Sequence, residues 1–349
     1  MCFEKFEVLF GYWIVCVLVR FLNFVSSIPM EEKSNEVKNL LPGSIFISSI
    51  ILASAWIYKA ESKTRIEPEK NRPEHTEKST SSVLEEAVLP SGGVILPVTW
   101  GNLGSRLASV GAIDAEKLEA LYVERGEFTE EYRALLLEQS RGRLKMTEEN
   151  SGYLLNLFWA LGLASKNPIL DSGEMKDSRY GGAENFASTA GWTIAKGNPM
   201  EHFSRHKFFN LTPSQQELVE KVSRGIYRPC CGNSTHFPDC NHGMAMLGLL
   251  ELMASQGVGE EEMWKAALAV NSYWFPDTYL TIAAYMKNKG VEWQNVEPRE
   301  MLGAKYSSAQ GYAKVASQVV APRGQSGGSG CGVESGGAAP AQKQSGCGI

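Results

Sequence analysis

Residues 147–164 read TEENSGYLLNLFWALGLA, from Thr147 to Ala164. Thr147 is a helix-capping residue type, its hydroxyl able to accept an orphan N–H of a first turn, and Leu154, Leu155, Phe158, Trp159 and Leu161 spread apolar surface around the helix that follows. A helix apolar on all sides belongs in an interior, so full burial is expected here. Burial requires a jacket of other elements, and the flanking sequence supplies mostly helices.

Upstream, Asp114 is a natural N-cap for AEKLEALYVERG, with Leu118, Leu121 and Tyr122 on one face and Gly126 as a stop, and Thr129 caps EEYRALLLEQ. Downstream, residues 165–200 change character: Gly173, Gly181, Gly182, Gly191 and Gly197 among aromatic and small polar residues predict a long ordered loop. Helix resumes at Thr212-Pro213, where Gln215 completes a capping-box pattern. Three more helices are expected, from Asn241 or His242 to Gln256, from Glu260 to Asn271, and from Pro276 to Lys289 closed by Gly290. VILPVTW at Val94–Trp100 has strand-like residues, but Pro97 restricts it to an edge or an extended entry. The fold class is therefore mainly α, and no solenoid-like repeat recurs.

The chain has 349 residues, and its termini differ from this domain. Leu40 to Tyr58 carries no charge and is long enough to approach a bilayer span; a second, marginal stretch lies at 8–25. The expected organisation is an N-terminal membrane anchor over 1–58, a disordered linker over 59–88, one helical domain over 89–300, and a C-terminal extension over 301–349 ending in a flexible Cys-Gly tail. A chain begun at Met30 would carry a short charged leader before one anchor. Ala53-Ser54-Ala55 also fits a signal-peptide cleavage site. Lys33 and Lys38 precede the span while Lys59, Lys63 and Arg65 follow it, so charge does not orient it. Overall layout favours a single-pass anchor at the cell membrane with an extracytoplasmic domain.

The 34 basic and 39 acidic residues leave a formal charge of -5, which offers no basic excess for a nucleic-acid backbone. The 7 cysteines are too few for a disulfide-dense scaffold, but Cys230, Cys231 and Cys240 crowd together. From Pro229 to Met246 the sequence PCCGNSTHFPDCNHGMAM adds His236, Asp239, His242, Met244 and Met246 to them. Thiolate, imidazole and thioether are the donors that Cu(I) and Zn(II) select. A helix starting near Asn241 sets His242 and Met246 on one face and Cys240 at its N-terminus, where the helix dipole favours a thiolate.

His202 and His206 form H-x-x-x-H, which shares one face if helical and adds a possible second part to the same site; HFSRH lacks the glutamate of the zinc-peptidase motif. Cys331 and Cys347 in the tail are possible carriers of the ion to the cluster. The spacing matches no C-x2-C pair, haem site or iron–sulfur run, and no motif is specific to one family. Composition thus predicts a membrane-tethered protein that binds or traffics a soft transition metal, copper first and zinc second, through Cys230, Cys231, His236, Cys240, His242, Met246, His202 and His206. Its partners are then the membrane and the ion, without nucleic acid. A thiol–disulfide oxidoreductase and a structural envelope domain with a disulfide-stapled loop are the alternatives.

Overall fold

The computed structural model describes residues 82–320. All described residues belong to one compact unit. The spans expected at 40–58 and 8–25, most of the linker, and Cys331 and Cys347 lie outside the described residues. Among the described residues no helix is long and apolar enough to cross a membrane. The anchor thus has no counterpart in the described structure.

The described unit is mainly helical, as its apolar patterning predicts. Its elements are α1 (82–88), β1 (Val94–Ile95), α2 (Leu103–Ser109), α3 (Ala115–Glu124), α4 (Glu130–Leu137), β2 (Lys145–Met146) and α5 (Ser151–Ala164). After α6 (Pro168–Ser172) and α7 (Ala187–Ala190) come α8 (Pro213–Gly225), α9 (Asn241–Ser255), α10 (Glu260–Trp274) and α11 (Pro276–Asn288). Three short helices, α12 (Pro298–Leu302), α13 (Ala304–Ser307) and α14 (Ala309–Ala316), close the series.

Side-chain caps set several of these boundaries. Asp114 accepts from Lys117 N and Thr129 from Tyr132 N, which starts α3 and α4 where expected. At α8 the Thr212 hydroxyl accepts from Gln215 N while the Gln215 side chain accepts from Thr212 N, a complete capping box. Thr147 does not cap α5. It exchanges hydrogen bonds with Asn150, Thr147 N to Asn150 Oδ1 and Asn150 N to Thr147 Oγ1, in a turn one step earlier, and the helix begins at Ser151.

The centre of the domain is the pair α5 and α9. Every residue of α9 from Asn241 to Ala254 is buried, as is α5 from Tyr153 to Ala164 apart from half-buried Leu155. The two backbones approach closely because each offers a glycine: a Cβ on Gly162 would collide with Met244 O, and one on Gly248 would lie 2.5 Å from Phe158 O. α8 and α10 pack on α9, and α2 bridges α4 and α5.

The strand-like segment pairs as an edge: β1 and β2 are antiparallel with Val94 opposite Met146. Leu96 N then donates to Leu144 O, and Leu144 N to Val98 O, past Pro97.

Burial extends past the expected boundaries at both ends. Leu84 and Val88, placed by composition in the linker, sit in the core, as do Leu302, Tyr306 and Val315 beyond residue 300. Short polar helices around a few apolar residues resemble linker and tail by composition, since only those few side chains are buried.

Residues 165–211 form a chain of short turns held by indole donors. Trp159 Nε1 donates to Ser188 O (2.7 Å) and Trp192 Nε1 to Ala112 O (2.8 Å).

Candidate functional site

Residues 226–240 leave α8, loop outward and return to start α9. Thr235 N donates to Ile226 O (2.7 Å) at the neck of the loop. Its outer turn is fixed by three distant segments: Tyr227 N donates to Leu302 O, Ala309 N to Cys231 O, and Ser188 N to Asp239 O. Helices beyond residue 300 thus hold the cysteine loop directly.

This folding brings three thiols together. The Sγ atoms of Cys230, Cys231 and Cys240 lie within 4.8 Å of one another, and Cys230 and Cys240 are 3.5 Å apart. That separation is a contact, well beyond the ~2.05 Å of a bonded disulfide. Cys240 is the N-cap of α9, and its sulfur accepts from Gly243 N (3.4 Å). An N-terminal thiol is where the helix dipole favours negative charge.

Arg228 completes the centre. Its side chain is fully buried, and Nη2 reaches Asp239 Oδ1 (2.5 Å), Cys231 Sγ (3.2 Å) and Phe237 O (3.3 Å). Asn233 Nδ2 donates to Asp239 Oδ2 (2.9 Å), so both carboxylate oxygens are engaged. The guanidinium lies flat against Gly243, where a Cβ would meet Cζ at 2.7 Å; only glycine leaves that space. Nε and Nη1 are buried without hydrogen-bond partners.

These neighbours split the thiols. Hydrogen bonds from Cys230 and Cys231, and then the charge of Arg228 and the His242 imidazole, hold Cys240 well below the ordinary thiol range despite burial. Cys231 moves the other way, to about 12: a hydrogen bond with Cys230 pulls it down, but its hydrogen bond to Cys240 and burial outweigh that. Burial opposes the charge of Arg228, yet the surrounding sulfurs and Asp239 keep it firmly protonated. Burial raises Asp239 above the ordinary carboxylate value, against the pull of Arg228. The neighbouring thiols are thus shifted in opposite directions, and Cys240 is the one whose thiolate the surroundings favour.

The other expected ligands are not part of this sulfur group. Among the described residues, Cys230, Cys231 and Cys240 are the one group of three or more cysteine, histidine or carboxylate side chains in ligand geometry, and no histidine belongs to it. His236, in the same loop, bonds Glu174 through Nδ1 (2.7 Å) and lines a surface cavity of about 560 Å³ with Glu174, Glu220 and Arg224. His242 packs on Phe275, ring centroids 4.3 Å apart, and on Trp274. Met246 is fully buried in the apolar core.

His202 and His206 are not on a helix. Ser204 between them adopts φ 50°, a left-handed conformation that breaks any helical turn. The rings hydrogen-bond each other, His202 Nδ1 to His206 Nε2 at 3.2 Å. Lys196 O, an acceptor only, takes the proton of His202 Nε2 at 3.0 Å. The pair is a loop fastener. Burial, and then the charges of His202 and Arg205, hold His206 below the usual histidine range.

Arg228 is the member of this centre that ligand-type reasoning misses. A signal was present: it is the one arginine, lysine or carboxylate between Arg224 and Asp239, directly before Pro229-Cys230-Cys231.

Fold and site together define a helical domain with a buried thiol–arginine centre at a helix N-terminus. No family model, curated protein or solved structure matches the chain.

Proposed function

We propose that this chain binds a soft, thiophilic metal ion through Cys230, Cys231 and Cys240. The observation that supports it is the approach of three sulfurs to within 4.8 Å of one another around a helix N-terminus. Clustered thiolates are ligands of the class of ions that includes Cu(I) and Zn(II), and a site of this kind suits retention or transfer of the ion. The histidines and Met246 are not part of the proposed set. The test is the metal content of protein purified under reducing conditions, with one equivalent expected and none in Cys240→Ser.

A second reading, thiol–disulfide exchange, draws on the 3.5 Å contact between Cys230 and Cys240. The Cys240 thiolate would attack a substrate disulfide, forming a mixed disulfide and releasing one substrate thiol; Cys230 would then displace the second, leaving the pair oxidised and the substrate reduced by two electrons. Metal-free protein that turns over a dithiothreitol-coupled disulfide substrate would favour this reading. A structural staple predicts neither metal nor turnover.

The proposed setting is the cell membrane, with the domain on its outer side. The nineteen-residue stretch without charge from Leu40 to Tyr58 supports it. The full chain is expected to stay in the membrane pellet after alkaline carbonate extraction, and release into the supernatant would overturn the setting.

A further inference from the structure

We infer that the ion this centre prefers is trivalent and pyramidal, a metalloid of the arsenite and antimonite class. The inference rests on the three-thiolate reading and narrows it. Its basis is the charge balance of a buried site. Arg228 is fully buried and Asp239 nearly so, and at 2.5 Å they offset each other. What remains is the charge of three thiolates and whatever ion they hold. A monovalent ion leaves two uncompensated negative charges, a divalent ion one, and a trivalent ion none. Uncompensated charge is costly where Cys231 and Cys240 are buried and Cys230 is half-buried, so burial favours the trivalent case.

Geometry points the same way. With metal–sulfur bonds of about 2.3 Å, tetrahedral coordination sets sulfurs ~3.8 Å apart and trigonal planar coordination ~4.0 Å apart. Cys230 and Cys240 are in contact at 3.5 Å, closer than either spacing and on the side of the narrower angles of a pyramidal centre, and all three sulfurs lie within 4.8 Å of one another. No fourth ligand is required, and the structure supplies none from histidine or carboxylate in ligand geometry among the described residues.

Loading is balanced without redox chemistry: As(OH)3 + 3 RSH gives As(SR)3 + 3 H2O. Three As–O bonds break, three As–S bonds form, each thiol proton leaves in water, and arsenic remains trivalent. Where Cys240 enters as thiolate, its missing proton is taken from solvent.

The test is native mass spectrometry of the reduced full chain with sodium arsenite, alone and in competition with equal Zn(II) or Cu(I), with ultraviolet absorption as the readout of As–S bonds. One arsenic replacing three protons is expected, favoured over zinc by roughly tenfold or more, as an uncompensated buried charge demands. Single serine variants of Cys230, Cys231 and Cys240 should each lose it, whereas Cys331→Ser with Cys347→Ser should not. Asp239→Asn, which leaves Arg228 to balance one negative charge, should shift preference toward Zn(II). Zinc or copper on the three thiols with no arsenite uptake would overturn this inference and leave the metal-site reading standing. Failure of all three ions to engage the thiols would overturn both.

Discussion

Cys240 has two separable roles, because a helix N-cap and a soft ligand need different properties of the same atom. As a cap its sulfur accepts from Gly243 N, a task for which serine is a better residue. As a ligand it needs a thiolate, which serine cannot provide. Cys240→Ser is therefore expected to keep the stability of the fold within about 1 kcal/mol by urea denaturation while abolishing tight metal retention. Arg228→Met is expected to behave oppositely. It strands Asp239 with little access to water, and breaking a buried pair in this way costs about 3–5 kcal/mol, read as a lower urea midpoint.

Glu251, in the middle of α9, gives the domain its own pH dependence. It is buried, Oε1 has no hydrogen-bond partner, and burial pushes its carboxyl up to about 8 against the smaller pull of Ser165 and Asn167. The folded state therefore keeps a proton that the unfolded chain gives up near its ordinary value of 4.5. Between those two values the unfolded chain binds fewer protons, so stability falls as pH rises from about 4.5 to about 8 and the slope vanishes outside that window. Thermal unfolding of wild type and Glu251→Gln across this range checks it: the variant should lose the slope.

The crossing of α5 and α9 depends on Gly162 and Gly248 rather than on the side chains that define both helices as buried. Gly162→Ala would push a methyl into the carbonyl of Met244, and at least the ~1–3 kcal/mol of overpacking is expected from denaturant unfolding. Gly152, in the first turn of α5, is the control: it is exposed with open space around its Cα, so Gly152→Ala should stabilise by about 0.5–1 kcal/mol. A strong loss in both variants would show that the interhelical approach at Gly162 does not set the cost.

These elements also show what a sequence discloses. Caps are local chemistry, so Asp114, Thr129 and the Thr212–Gln215 box mark their helices from sequence alone. The nearly continuous apolarity of residues 153–164 implies an interior helix, which α5 is. α9 is harder to read from sequence: its whole circumference is buried, because Gly243, Ala245 and Gly248 permit close packing where no large apolar residue advertises it. In the candidate site, the three cysteines were legible because they are near neighbours. The histidines misled, since spacing places a ring on a helix only if the backbone is helical, and Ser204 makes it otherwise. Arg228 acts through tertiary burial, which composition does not display.

At the scale of the whole domain, the cysteine loop and the helices after residue 300 form one cooperative structure. The loop has no regular element to hold Cys230 and Cys231 against the start of α9. Its position comes from the Tyr227 N to Leu302 O and Ala309 N to Cys231 O hydrogen bonds, and from Arg228 clamping both strands of the loop. Tyr279 extends the connection into the core: its hydroxyl bonds Ser307 Oγ (2.7 Å), which in turn donates to Met301 O. A chain ending at residue 300 loses Met301, Leu302, Tyr306 and Val315 from the core and releases the Cys231 carbonyl. Each buried side chain of this size contributes about 1.5–3 kcal/mol, so their joint loss is comparable to the ~5–15 kcal/mol that keeps a typical domain folded. Ending the chain at residue 320 is therefore expected to preserve both the cooperative unfolding transition and metal uptake, while ending it at residue 300 abolishes both. Circular dichroism through a urea titration, paired with metal analysis of each protein, measures the two outcomes. If the chain ending at 300 unfolded as cooperatively as the longer one and still retained metal, the short terminal helices would be accessory, and the loop would have to be held by α8 and α9 alone.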